Sequence, residues 1–287
     1  VPANPANPAI DAVVAAALAE DAPWGDVTSE AFIPHSAVAR AELNARERGV
    51  FSGAEIVVST FRQVDSRIDV ELRIADGDPF DAGRVLAVIG GPARGILRGE
   101  RIALNLLQRM SGIATATAAY VAEVAGTRAR VVDTRKTTPG LRALERHAVR
   151  DGGGHNHRFS LSDAVLAKDN HLAVLTAQGL SVTEAIRQVR DRIGHTTHLE
   201  VEVDRLDQIE AVLAGGVDTI MLDNFTLDEL RDGVALVGGR ALIEASGGVN
   251  LTTIRGIAET GVDIISVGAL THSVRSLDLG LDVTLAP

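Results

Sequence analysis

An α/β barrel preceded by a smaller α+β domain is the fold that this 287-residue sequence predicts. Three observations lead there. From about residue 129, short apolar strands alternate with helical segments, which implies parallel strands joined by right-handed crossovers. Polar residues stand at the C-terminal end of nearly every one of those strands, where barrel enzymes carry their chemistry; an open sheet would gather its site at one switch point. Before residue 110, strands and helices occur without that rhythm, as in an α+β domain.

The elements follow in order. Ile10–Glu20 has apolar residues at helical spacing, and the turn-rich stretch Asp21–Thr28 ends it. Residues 37–50 alternate loosely and read as a strand, Ser52–Arg62 as a helix, and Ile68–Ile74 as a half-buried strand. Gly77-Asp78-Pro79 is a turn, and Arg84–Ile89 is another strand. A long helical pattern covers Gly99–Val124, with a break expected at Ser111-Gly112. Six strands then alternate with helices: Arg130–Asp133, Ala164–Ala167, His198–Val203, Thr219–Leu222, Ala241–Glu244 and Ile264–Val267. The helical segments lie at 141–149, 182–193, 206–213, 227–237 and 251–260. The tail Leu277–Leu285 alternates again, as a strand returning to the N-terminal domain would. The expected domains are 1–110, with the tail 276–287 packed back on it, and 111–275.

Composition narrows the function. With 46% apolar and 23% charged residues the chain has globular composition, not that of a disordered protein. The absence of cysteine excludes disulfides, thiolate nucleophiles and cysteine-based zinc sites. A net charge of −10 argues against nucleic acid or an anionic membrane as partner. No apolar run approaches the roughly 20 residues that span a bilayer. The segment Val1–Ile10, with Pro2, Pro5 and Pro8 and no cationic start, does not read as a signal peptide, and a cytoplasmic location is expected. Of 28 cationic residues only Lys136 and Lys168 are lysine, so those two positions are candidates for a compact, mobile ammonium instead of a planar fork.

The chemistry gathers at the strand ends. In Leu199-Glu-Val-Glu-Val203 the apolar side chains point one way, toward covering helices, and Glu200 and Glu202 point into the barrel. Buried carboxylates need cations or a metal beside them. Asp223 ends the next strand and adds a third acid. Arg135 and Lys136 follow the first barrel strand and Lys168 the second. Between them the run Gly152-Gly-Gly154 permits close backbone approach just before His157 and Arg158. His155 and His157 have a His-x-His spacing, but no third ligand accompanies them, so zinc is not expected. Ser246-Gly-Gly248 and Gly268-Ala269 follow the last two strands, where barrels often hold a phosphate. Such a mouth suits a phosphorylated polyanion with Mg²⁺ held partly by carboxylates.

The motif series Asp133-Thr-Arg-Lys-Thr-Thr-Pro-Gly140, Gly152-Gly-Gly-His-Asn-His-Arg158, Leu161–His171, Glu200-Val-Glu-Val-Asp204, Met221-Leu-Asp-Asn-Phe225, Glu244-Ala-Ser-Gly-Gly248 and Ser266-Val-Gly-Ala-Leu270 resembles the quinolinate phosphoribosyltransferases in order and spacing. Glu100–Leu107 and Thr271–Arg275 extend the resemblance, while the proline-rich start lies outside it and Ala167 stands where a larger aliphatic residue is common. The resemblance implies an N-terminal open sandwich plus an incomplete α/β barrel, assembled at least as a homodimer. It implies transfer of phosphoribosyl from phosphoribosyl pyrophosphate to quinolinate with loss of CO₂, giving nicotinate mononucleotide and pyrophosphate, with Mg²⁺. It assigns catalysis to Lys136, Lys168, Glu202 and Asp223. It assigns substrate binding to these and to Arg101, Thr134, Arg135, His157, Arg158, Ser246, Gly247, Gly248, Val267, Gly268 and Ala269. The resemblance further implies that Arg101 is contributed across the subunit interface and that Glu202 and Asp223 bind Mg²⁺ directly or through water. Quinolinate has two carboxylates, which the planar forks of Arg101, Arg135 and Arg158 suit. The alternatives are a related enzyme acting on another aromatic acid, a non-catalytic nucleotide-binding scaffold, and an aldolase-like barrel with a Schiff-base lysine.

Overall fold

The computed structural model describes residues 8–177 and 179–285, and the chain divides into two units. The first unit comprises Val1–Ala118, Thr137–Gly153 and Ser273–Pro287, and the second Ala119–Lys136 and Gly154–His272. Residues 1–7, most of the proline-rich start, lie outside the described residues.

In the first unit, helices α1 (Pro8–Asp21) and α2 (Val27–Phe32) precede strand β1 (Val38–Ala45). The short strand β2 (Gly49–Val50), helix α3 (Ala54–Val64), and strands β3 (Asp69–Leu72), β4 (Pro79–Phe80) and β5 (Val85–Pro92) follow. Helix α4 runs from Ala93 to Glu123, its last turns belonging to the second unit. The main sheet has the order β12-β1-β5-β3, where β12 is Leu279–Leu285 and pairs antiparallel with β1. Alternation in β1 sends Ala39, Ala41, Leu43 and Ala45 into a core with Phe51, Phe61, Leu86, Ile89 and Leu107.

Asp21–Thr28 ends α1 as expected, and its last two residues already begin α2, which the Asp26 carboxylate caps by accepting the Ser29 amide. One expectation fails here. Helix α4 does not break at Ser111-Gly112. The Ser111 hydroxyl accepts from the Ser52 amide and donates to its carbonyl, so it does not compete for the helix backbone. Gly112 is small for a different reason: a Cβ there would strike the carbonyl oxygen of Arg275.

The second unit is a six-stranded parallel sheet of order β6-β11-β10-β9-β8-β7. Its strands are β6 (Arg130–Val132), β7 (Val165–Ala167), β8 (Leu199–Val203), β9 (Thr219–Asp223), β10 (Leu242–Ser246) and β11 (Ile264–Ser266). Between β6 and β7 the chain forms α5 (Arg142–Asp151), which belongs to the first unit. The helices α6 (Asp169–Thr176), α7 (Val182–Arg192), α8 (Ile209–Ala214), α9 (Leu227–Val237), α10 (Ile254–Ala258) and α11 (Ala269–His272) separate the later elements. Ser181 and Thr226 cap α7 and α9 with reciprocal bonds to Glu184 and Glu229. The first strand pairs with the last while β6 and β7 do not pair, so this is an incomplete barrel. The open seam is partly filled where the His155 backbone bridges to Val132 of β6. One local reading changes: β10 runs two residues past Glu244, which moves that acid from the rim to mid-strand. Among the described residues no helix is long and apolar enough to cross a membrane.

Candidate active site

The parallel strands put their polar ends at one rim of the second unit. Lys168, just after β7, places its ammonium 2.5 Å from the Glu202 carboxylate near the end of β8. The Lys168 side chain is half exposed and Glu202 largely covered, so the pair sits at an opening, not in a dry core. Asp223 closes β9, and its carboxylate accepts from the Asn224 amide group. Asn224 takes a left-handed φ of 61° and donates its backbone N–H to Ser246 at the end of β10. A Cβ on Gly247, whose φ is 95°, would collide with the Asn224 side chain, so only glycine fits this crossing of two loops. Gly248 follows, also with positive φ. Gly268 and Ala269 begin α11, and a Cβ at Gly268 would press on the Lys136 stem at 3.1 Å. The Thr271 hydroxyl donates to the Lys136 carbonyl. Lys136 is thus lodged against one candidate phosphate loop with its side chain exposed. Thr134 accepts the Lys136 amide through its hydroxyl, and Val267 is buried, donating its amide to Val132.

Arg135, Arg158 and Lys168 line one cavity of about 750 Å³, whose other walls are mostly aliphatic side chains of β7, β8, α6 and α7. Burial and then the neighbouring Arg135 charge lower the pKa of the Arg158 guanidinium. Two guanidiniums held this close repel, which favours an anion between them. Arg158 also donates to the Ala164 carbonyl.

Deeper in the unit lies a cluster of acids around one imidazole. Asp133 is fully buried; it accepts from the His157 amide and from the Asn156 side chain. The His157 Nε2 is 3.1 Å from Glu200 and 3.4 Å from Glu244, both of them buried. Burial disfavours a charged His157, while the hydrogen bonds and charges of Glu200 and Glu244 raise its pKa, so a proton is held between the ring and the two acids. Burial, with the Glu244 charge behind it, pushes Glu200 up to about 7 despite the opposing bond to His157. The cluster therefore retains protons through neutral pH. The His157 Nδ1 accepts the Arg158 amide at 2.7 Å, which places the ring proton on Nε2 and leaves the remaining proton on the carboxylate side.

The second unit thus carries every expected site residue except Arg101, which stands exposed on α4 in the first unit. Asp133 and Glu244 were read from sequence only as polar strand-end residues and Asn156 only as part of a motif, and none of the three was given a role. The signal for Glu244 was its place on a strand otherwise made of apolar residues; Asp133 and Asn156 offered only their position beside the chosen residues. Glu202 and Asp223, near the ends of neighbouring strands and partly exposed, are an oxygen-only donor pair suited to a hard divalent cation that keeps waters and phosphate oxygens.

Comparison with known proteins gives a consistent result. The family model described as quinolinate phosphoribosyl transferase, C-terminal domain, matches residues 113–282, and the corresponding N-terminal domain matches 26–111. A nicotinate-nucleotide pyrophosphorylase [carboxylating] of Mycobacterium leprae is 44% identical, with 93% of this chain and 94% of that one covered. A Nicotiana tabacum protein named quinolinate phosphoribosyltransferase [decarboxylating] 2b, mitochondrial, is 39% identical over 97% of this chain and 84% of its own. The crystal structure of NadC from Streptococcus pyogenes superposes with a TM-score of 0.94 at 41% identity, covering 99% of this chain and 100% of that one.

Proposed function

The chain belongs to the quinolinate phosphoribosyltransferase family, and on that premise we propose that it converts quinolinate and phosphoribosyl pyrophosphate to nicotinate mononucleotide, pyrophosphate and CO₂. The observation that carries this reading is the close placement of the Arg135 and Arg158 guanidiniums on a cavity that Lys168 also lines. Two planar forks side by side suit a ring with two carboxylates.

The reaction follows from that placement. The pyridine nitrogen of quinolinate attacks the anomeric carbon of the ribose as the bond to pyrophosphate breaks, and positive charge builds on the sugar. Glu202 and Asp223 supply negative charge beside it, and Lys168, paired with Glu202, and Lys136 supply point charges to the departing pyrophosphate. When the neighbouring carboxylate leaves as CO₂, the electron pair of the broken bond stays on that ring carbon as an ylide, which the adjacent cationic nitrogen stabilises, and a proton from solvent then takes up the pair at the same carbon. Ser246, Gly247, Gly248, Gly268 and Ala269 form the loops offered to the 5′-phosphate, next to Lys136. Mg²⁺ belongs to this proposal: Glu202 and Asp223 would hold it directly or through water, and it would offset phosphate charge. So do assembly as a homodimer or higher homo-oligomer with Arg101 completing the partner's site, and a cytoplasmic location.

The test is product formation. Purified protein with Mg²⁺ is expected to release CO₂ only when both quinolinate and phosphoribosyl pyrophosphate are present. Equally efficient turnover of nicotinate would refute the substrate assignment.

A further inference from the structure

Glu244 and Glu200 are heavily buried acids of the second unit that the proposed reaction leaves without a role. Each is nearly inaccessible, and each keeps one side-chain oxygen, Oε1, without a hydrogen-bond partner. They border a second cavity, of about 360 Å³, whose walls include His198, Thr219 and Ile264 at the beginnings of strands. Lys168 and Asp223 mark the opposite ends of strands, and Arg158 borders both cavities.

Both acids reach His157. Its Nε2 faces both carboxylates, while its Nδ1 accepts the amide of Arg158. Both ring nitrogens are therefore engaged within the protein. The imidazole is a strut with one end in the barrel and the other on the backbone of Arg158, and Asp133 holds the His157 backbone to the same loop. A neutral imidazole that accepts at Nδ1 must carry its proton on Nε2, and this rules it out as a metal ligand through that atom.

We propose that Glu244 is a positioning residue: together with Glu200 it anchors the Nε2–H of His157, and through the His157–Arg158 hydrogen bond it fixes the guanidinium that receives the dicarboxylate. This rests on the reading above that Arg158 binds quinolinate. Loss of the anchor lets the imidazole turn, which releases the Arg158 amide and slackens one of the two forks. Binding of the acid substrate then weakens, while that of the phosphorylated sugar at the glycine loops does not.

Two measurements test it. In steady-state kinetics, Glu244→Leu, which has no acceptor, is expected to raise the KM for quinolinate about tenfold, with that for phosphoribosyl pyrophosphate unchanged. Glu244→Gln, which keeps an acceptor oxygen, is expected to restore most of the loss. Both KM values moving together, or neither moving in a folded variant, overturns the proposal. Independently of any substrate, ¹⁵N spectra of histidine-labelled wild-type protein are expected to show His157 protonated at Nε2 and not at Nδ1. The Gln variant, chosen in case the Leu variant does not fold, is expected to keep that tautomer. A protonated Nδ1 in the wild type overturns the proposal even if quinolinate is turned over. The expected tautomer in a protein that ignores quinolinate would instead overturn only the substrate reading.

Discussion

Each unit contains one histidine set between two carboxylates, and the two clusters are built to opposite ends. In the first unit the His147 Nε2 lies 3.1 Å from Asp76 and 3.2 Å from Asp151. There the acids are saturated: Asp76 accepts the amides of Gly53 and Ala54, and Asp151 accepts the Ser52 hydroxyl. In the second unit Glu200 and Glu244 flank His157 with similar distances, yet each leaves an oxygen unmatched. A satisfied network ties the start of α3 and the end of α5 together and needs nothing else. An unsatisfied one is costly to keep, and proteins keep such costs mainly where a site needs them. A histidine between two carboxylates thus separates architecture from chemistry by what remains unpaired.

The sharpest way to break that contrast is to remove a mouth residue. Lys168→Ala is expected to lower turnover at least about 100-fold while the melting temperature stays within the range of a surface change. Mixed with Arg101→Ala under conditions that exchange subunits, it is expected to recover part of the activity. Verified mixed dimers with no recovery would count against Arg101 acting in the partner's site.

The first unit's cluster is expected to do the reverse. Asp76→Ala strands two amides and a histidine, at a cost of about 2 kcal/mol in unfolding free energy, with kinetic constants of the folded fraction unchanged. Its pH dependence has a defined sign. The Asp76 bond raises the His147 pKa above its ordinary 6.5, against burial, with help from Asp151 and opposition from Arg150. The stability this contributes is complete below the ordinary value and is lost as pH rises through the raised one. Chemical denaturation is therefore expected to show a larger gap between wild type and His147→Gln at about pH 6 than at about pH 9. A gap that widens with pH would reverse the assignment.

The smallest effect tests the scarcity of lysine. The Lys136 stem lies where a Cβ at Gly268 would come within 3.1 Å of it. Lys136→Arg keeps the charge but brings a wider head, and is expected to slow turnover about tenfold. A wild-type rate would make the choice of lysine accidental.

Much of the second unit was legible because parallel strands write their positions plainly. Glu200 and Glu202, set among apolar residues of β8, could point only inward, and Glu200 does meet His157 there. The first unit was less legible. The helix at Val27–Phe32 is six residues long, too short for periodicity, and depends on one carboxylate cap from Asp26. Gly112 looked like a helix breaker because its true reason, the approach of the Arg275 carbonyl, lies 163 residues away in sequence. Glu244 was placed too near the rim because Ala245 and Ser246 do not look like strand residues. The pairing of Ala245 with Leu222 and of Ser246 with Asp223 carries the strand on.

The open seam has one more consequence. Beside β7, the raw border of the sheet, the Arg158 guanidinium covers the Ala164 carbonyl. Unguarded borders of this kind recruit strands from other molecules. The side chain offered to the substrate therefore also occupies a hydrogen-bond acceptor at that border, and an Arg158 variant that loses activity by clumping would mimic one that has lost its grip on the acid.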